Sequence, residues 1–178
     1  MTGAVADSGR FWTLKRRRIY IGAAIILTLF ACWSALRSWR DSHGFLINTT
    51  QSLPNWAFIL DTKTAPSKHS LIFFRPPSSA IMEVHFGKGE HLFGKRVFGV
   101  PGDVVTRKDR TFFVNGEKVA VAKTVSKRGV LLELGPTGVI PNGCYYVGSE
   151  HPDGFDSRYG QIGWICRERV VGVGQAVL

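Results

Sequence analysis

Three residues far apart in this chain are of the types that acyl-transfer chemistry uses: Ser52, Lys95 and Asp156. Lys95 stands in Gly94-Lys95-Arg96-Val97-Phe98-Gly99-Val100-Pro101-Gly102-Asp103, an apolar strand that ends in a Pro-Gly-Asp turn. Pro presets φ for the first corner, Gly accepts a positive φ, and Asp can bond the backbone beyond, so the turn fixes where the strand stops. Alternation then puts Lys95, Val97 and Gly99 on one face and Arg96, Phe98 and Val100 on the other. A lysine among apolar neighbours loses solvation, its pKa falls, and the neutral amine can serve as a general base. The plain alternative is an edge-strand lysine that lays its stem on apolar surface and keeps its ammonium in water. Ser52 lies in Asn48-Thr49-Thr50-Gln51-Ser52-Leu53-Pro54-Asn55, a loop of hydroxyls and amides between two apolar segments, in which Pro54 keeps Leu53 extended. A serine held there can act as a nucleophile, although an ordinary loop serine is the commoner case. Asp156 lies in Asp153-Gly154-Phe155-Asp156-Ser157-Arg158-Tyr159-Gly160.

The elements that must position these groups read as short strands. They run Phe45 to Ile47, Trp56 to Leu60, Ser70 to Phe74, Ala80 to Phe86, the Lys95 strand and Val104-Val105. Then come Thr111 to Val114 and Lys118 to Val121, Gly129 to Leu134, Gly143 to Gly148, Ile162 to Ile165 and Arg169 to Leu178. Asn115-Gly116 between two of them is a strong hairpin signal. Past residue 40 there is no convincing amphipathic helix and no internal repeat. Many short strands punctuated by turns predict an all-β domain.

Ahead of that domain, Met1 to Gly9 is mostly small residues, and Arg10 and Lys15-Arg16-Arg17-Arg18 follow. Ile19 to Leu36 then runs 18 residues without a charge, near the lower limit for crossing a bilayer. Trp33 and Trp39 lie near its far end, where indole rings favour the interface, and the basic cluster before the span places the amino terminus in the cytoplasm. The expected division is a basic cytoplasmic tail over 1–18, a transmembrane anchor over 19–39 and an extracytoplasmic domain over 40–178. A cleaved signal peptide lacks a clean small-residue site here, because Trp33 interrupts it. Leu29-Phe30-Ala31-Cys32 resembles a lipoprotein box only loosely, since Phe30 is bulky for it.

Composition bounds the remaining classes. The chain of 178 residues is 44% hydrophobic and 20% charged, with 20 glycines and 8 prolines, enough for one domain with many turns. A net charge of +10 suits nucleic acid, anionic lipid or simple solubility. Outside Lys15–Arg18 the basic residues are spread out and no nucleic-acid-binding motif is present, so no nucleic-acid partner is expected. Cys32, Cys144 and Cys166 match no metal spacing, and the last two could pair in an oxidising compartment.

Laid out together, the three boxes resemble those of the type I signal peptidases. Asn48 to Pro54 is similar to their nucleophile box, Lys95 to Asp103 to their lysine box, and Gly154 to Gly160 to their last box, in the family's order. The short length and the Asn-x-Thr-x-Ser-x-Pro form are most similar to the conjugative-transfer peptidases called TraF, which process pilin precursors and in some cases cyclise them. The resemblance implies a β fold of the signal peptidase type and a serine endopeptidase with a Ser52/Lys95 dyad needing no cofactor or metal. It implies an oxyanion site from the Ser52 N–H and the Thr50 hydroxyl, with Asp156 as the family's acidic residue between Arg96 and Arg158. It also implies the bacterial inner membrane, a catalytic domain on the periplasmic side, and partners that are exported precursors and membrane lipid. Two departures stand out: Gly148-Ser149-Glu150 replaces Gly-Asp-Asn, and Gly154 replaces a serine that lies near the lysine amine, so that Ser149 or a water has to take its place if anything does.

Other readings differ in class. A Ser-His-Asp triad would use His43, His69, His85, His91 or His151 with Asp61 or Asp153, but no nucleophile elbow is present. A general leader peptidase, a non-enzymatic pilus-assembly protein and a basic membrane protein that binds nucleic acid complete the set.

Overall fold

In a computed structural model the chain is described over residues 14–48 and 55–177. It divides between Ser42 and His43. The first part is a helix, α1 (Leu14–Arg40), 27 residues or about 40 Å long at 1.5 Å per residue. None of its residues is buried, so Ile26, Leu27, Phe30 and Trp33 have no protein cover. By length and composition it can cross a membrane. Among the described residues the helix runs from Leu14, so the Lys15–Arg18 cluster is helical. Arg37 and Arg40 close the last turn, where cations oppose the partial negative charge of the helix end.

Among its described residues the second part has eleven strands. They are β1 (His43–Ile47), β2 (Ala57–Asp61), β3 (Leu71–Phe74), β4 (Phe93–Gly99), β5 (Val104–Lys108) and β6 (Thr111–Val114). After these come β7 (Glu117–Val121), β8 (Gly138–Val139), β9 (Cys144–Gly148), β10 (Ile165–Cys166) and β11 (Val170–Ala176). A seven-stranded sheet runs β1-β2-β11-β3-β4-β9-β10 and a four-stranded sheet runs β7-β6-β5-β8. The all-β expectation holds for this part, with one short exception.

The exception is α2 (Ala80–Phe86), in the segment expected to be a strand. Ser79 caps it by accepting from Met82 N, and Gly87, at φ 87°, ends it. The seven-residue segment, with Glu83 and His85 among its apolar residues, is too short for a decisive period, and the flanking serine and glycine decide for helix. Two further expectations shrink. Gly129 to Leu134 contributes only isolated bridges, Val125 to Leu131 and Leu134 to Tyr159. Of Ile162 to Ile165 only Ile165 is in a strand, because the N–H groups of Ile162 and Gly163 both turn back to Tyr159 O.

β9 is buried at every position and divides the core between its two faces. Tyr146 packs with Val105, Phe112, Val114 and Ile140, while Tyr145 and Val147 pack with Ile72, Phe74, Val97 and Ile165. Cys144 and Cys166 are register partners on β9 and β10 and form a disulfide that closes a separation of 22 residues.

Candidate active site

Lys95 is on β4, which pairs β3 on one side and β9 on the other. It is therefore on an interior strand, and its 4% exposure removes the edge-strand alternative. The burial pattern follows the expected alternation, with Lys95, Val97 and Gly99 buried and Arg96 exposed. Burial lowers the Lys95 pKa; Asp156 pulls it upward and Arg158 pushes it down. Among the described residues none accepts a hydrogen bond from its amine. An uncharged amine is the form favoured in such a place, and it is the form that can take a proton.

The turn after β4 is built as a type II turn, with Pro101 at its first corner and Gly102 at φ 90°. Asp103 does not bond onward. Its carboxylate accepts from Val100 N at 2.9 Å, back across the turn, and from the Asn115 amide at 2.7 Å. Gly102 N and Ile140 N complete the lock by bonding Ile140 O and Asp103 O. The turn thus ties the end of the Lys95 strand to the β6–β7 hairpin.

Asp156 and Arg158 form a buried pair beside β9. Arg158 Nε donates to Asp156 Oδ1 at 2.8 Å and Nη2 donates to Oδ2 at 2.9 Å, with side-chain exposures of 3% and 0%. The same carboxylate accepts from Ser149 N and Arg158 N, and Arg158 also donates to Ser149 O and Val121 O. Every polar side-chain atom of the pair thus has a partner, which a buried charge requires. The expectation that Asp156 lies between two arginines fails at Arg96. Its side chain is on the opposite face of β4 from Lys95 and donates to His69 O at 3.0 Å. The alternation that buries Lys95 is what turns Arg96 away.

Thr50 and Ser52 lie outside the described residues. The ends of their loop are held: Asn48 N donates to Trp56 O and Asn48 Nδ2 donates to Asn55 O at 2.9 Å. Strands β11 and β3 separate this hairpin from β4 in the sheet. The acids a histidine triad would use are engaged otherwise. Asp61 accepts from Lys63 N and Thr64, and Asp153 pairs with Lys123 and Lys127.

Sequence reasoning missed a cleft of about 190 Å³ whose wall is made partly by α2, through Ile81 and Phe86, with Gly154, Phe155 and Tyr159 opposite. The signal was the Ser79 cap and the Gly87 stop around an apolar run.

The family model described as "Signal peptidase, peptidase S26" matches residues 16–178. The chain is 40% identical over 92 residues to signal peptidase I T of Bacillus subtilis (strain 168), covering 47% of each chain. It is 40% identical over 92 residues to a signal peptidase I of Bacillus licheniformis, covering 47% of this chain and 48% of the relative. The chain spans about half the length of the curated relatives it matches. A crystal structure of a signal peptidase I from Enterococcus faecalis V583 aligns with 62% of this chain and 97% of that one, at 26% identity and a TM-score of 0.40. With nearly the whole chain inside one family model, and the buried lysine and its turn in place, this protein belongs to the signal peptidase S26 family.

Proposed function

We propose that the chain is a membrane-anchored serine endopeptidase in which Ser52 is the nucleophile and Lys95 the general base. The observation that carries this reading is a lysine 4% exposed on an interior strand, with its pKa lowered by burial. Lys95 Nζ takes the Ser52 hydroxyl proton as Ser52 Oγ bonds the scissile carbonyl carbon. The resulting ammonium then protonates the leaving amine as the C–N bond breaks. In the second half Lys95 takes a proton from water, hydroxide attacks the ester, and Ser52 recovers its proton as it leaves. We assign the Ser52 N–H and the Thr50 hydroxyl as donors to the developing oxyanion, each such donor being worth roughly 10²–10³ in rate. Asp156 and Arg158 hold the shape of the site and move no proton.

The apolar helix α1 fits a substrate whose cleavage site lies at the end of a membrane-inserted segment. In this reading residues 1–18 are cytoplasmic, 19–39 span the bacterial inner membrane, and 40–178 work on its outer face. The substrates are exported precursors with small side chains next to the cut. The form of the nucleophile box favours pilin maturation in conjugative transfer, with closure of the acyl-enzyme by the product's own amine as an added outcome. The names of the relatives favour the second reading, a general leader peptidase.

The test is cleavage of two precursors in membranes carrying the full chain, Ser52→Ala or Lys95→Ala. One is a pilin precursor and the other an ordinary secretory preprotein, with product masses read. Cleavage by the parent and loss in both variants is the expected result. Which precursor is cut separates the two readings, and a product lacking one water identifies cyclisation. Cleavage that survives both substitutions refutes the dyad.

A further inference from the structure

Opposite the proposed base, one residue past the end of β9, lies a hydroxyl that no described residue uses. Ser149 is 6% exposed, and among the described residues its buried Oγ has no hydrogen-bond partner. A buried orphan hydroxyl costs about 1–3 kcal/mol, so its retention needs a reason.

The register supplies one. Arg96 pairs with Gly148 and Val97 with Val147, so the ladder carried one step further sets Lys95 opposite Ser149. Val147 turns both backbone groups away from β4, to Ser157 Oγ and Ser157 N. Ser149 does the same, its N–H going to Asp156 Oδ2 and its carbonyl to Arg158 Nη2. Ser149 therefore keeps strand orientation past the last paired residue. Lys95 and Ser149 occupy a non-hydrogen-bonded position, where facing side chains share a face and their Cβ atoms come within about 4.5–5.5 Å. Gly154 makes the room: a Cβ there would overlap Ser149 Oγ and crowd Asp156 Oδ2 at 2.8 Å. The absence of a side chain at Gly154 and the presence of a hydroxyl at Ser149 are thus one arrangement.

We infer that Ser149 is a positioning residue whose Oγ accepts an N–H of the Lys95 amine during turnover, so that the amine's lone pair is aimed at the nucleophile. The inference rests on Lys95 being the general base. The bond forms by rotation of the lysine end, and catalytic hydrogen bonds often close only once substrate is present. The anchor is rigid, because the backbone of Ser149 is held on both sides by the buried Asp156–Arg158 pair. The charged groups facing Lys95 are that same Asp156 and Arg158.

The test uses the full chain in detergent micelles and a fluorogenic peptide with an Ala-x-Ala site. The variants are Ser149→Ala, Ser149→Cys and Lys95→Ala, with kcat, KM, the pH profile of kcat/KM and the unfolding midpoint read for each. Ser149→Ala is expected to lower kcat about 10-fold or more, at a KM within about twofold of the parent, less than the roughly 10²–10⁴ that a proton-transfer group itself supplies because Ser149 only aims one. Its midpoint should hold or rise, since an orphan polar atom is removed. Its acidic limb should move to lower pH, because the ammonium form loses an acceptor. Ser149→Cys, which keeps a weak donor and acceptor, should recover part of kcat. Unchanged kcat and an unmoved limb in Ser149→Ala, with Lys95→Ala inactive, overturn this inference alone. An active Lys95→Ala overturns the reading beneath it. Should Ser149→Ala lower the midpoint strongly, the Ser149→Cys profile decides: a kcat and limb like the parent's support the inference, and a kcat as low as that of Ser149→Ala overturns it.

Discussion

Asp156→Ala removes a carboxylate that accepts four hydrogen bonds, from Ser149 N, Arg158 N, Arg158 Nε and Arg158 Nη2. What it leaves behind matters more than what it deletes. Arg158 stays charged at any accessible pH, and its side chain is 3% exposed, so the variant buries an uncompensated cation. Removing one partner of such a pair costs about 3–5 kcal/mol. For a domain of this size that lowers the unfolding midpoint by roughly 10–15 °C. Denaturant unfolding of the full chain in micelles measures it, beside Glu90→Gln, which breaks the exposed Arg75–Glu90 pair and should cost less than about 1 kcal/mol.

The same variant has a second readout with a fixed sign. Asp156 is the group that raises the Lys95 pKa, against burial and Arg158, which lower it. Without Asp156 every remaining influence points down. The acidic limb of kcat/KM in the residual activity should therefore move to lower pH. A stability loss no larger than that of Glu90→Gln, or a limb that moves to higher pH, refutes the reasoning about this pair.

Lys95→Met should lower kcat by about 10²–10⁴-fold, the range for loss of a general base, while leaving the fold intact in circular dichroism. Its stability should also lose a pH dependence: with a folded pKa below the unfolded value near 10.4, the unfolded parent binds more protons, so parental stability rises with pH through that window and the Met variant's does not. Joint Cys144→Ala and Cys166→Ala substitution should cost about 3 kcal/mol in denaturant unfolding, the chain-entropy value for a loop of this separation. Gly102→Ala should cost about 1–2 kcal/mol, because φ is 90° there and a Cβ meets nothing within 4 Å, so backbone strain acts alone; a neutral result would refute the type II turn.

What the chain shows in sequence is what local chemistry decides. The Pro101-Gly102 turn is legible because both residues impose φ by themselves, and so is the Asn115-Gly116 hairpin, where both residues take positive φ. The direction of the Asp103 bond is not, because its second partner, Asn115, arrives from the next hairpin. The position of Lys95 inside the sheet was equally hidden: β3 and β9 come from segments about 20 and 50 residues away, and no local pattern announces them. Arg96 is a different kind of miss. The alternation that buries Lys95 already placed Arg96 on the other face, and the family resemblance overrode it. At Cys144 and Cys166 the sequence offered a pair and the β9–β10 register supplied the geometry.

The arrangement around Lys95 also explains how the pKa of a lysine is lowered even though a carboxylate faces it. Asp156 and Arg158 act on its amine in opposite senses, and because they are locked together by two bonds their net charge is close to zero. Burial is then left as the deciding influence, and burial is set by the flanking of β4 by β3 and β9. A lone aspartate in the same place would hold the ammonium form and disable a base. A lone arginine would free the amine but bury an unpaired charge costing several kcal/mol. The closed pair avoids both, and it also fixes the backbone of Ser149 through two hydrogen bonds.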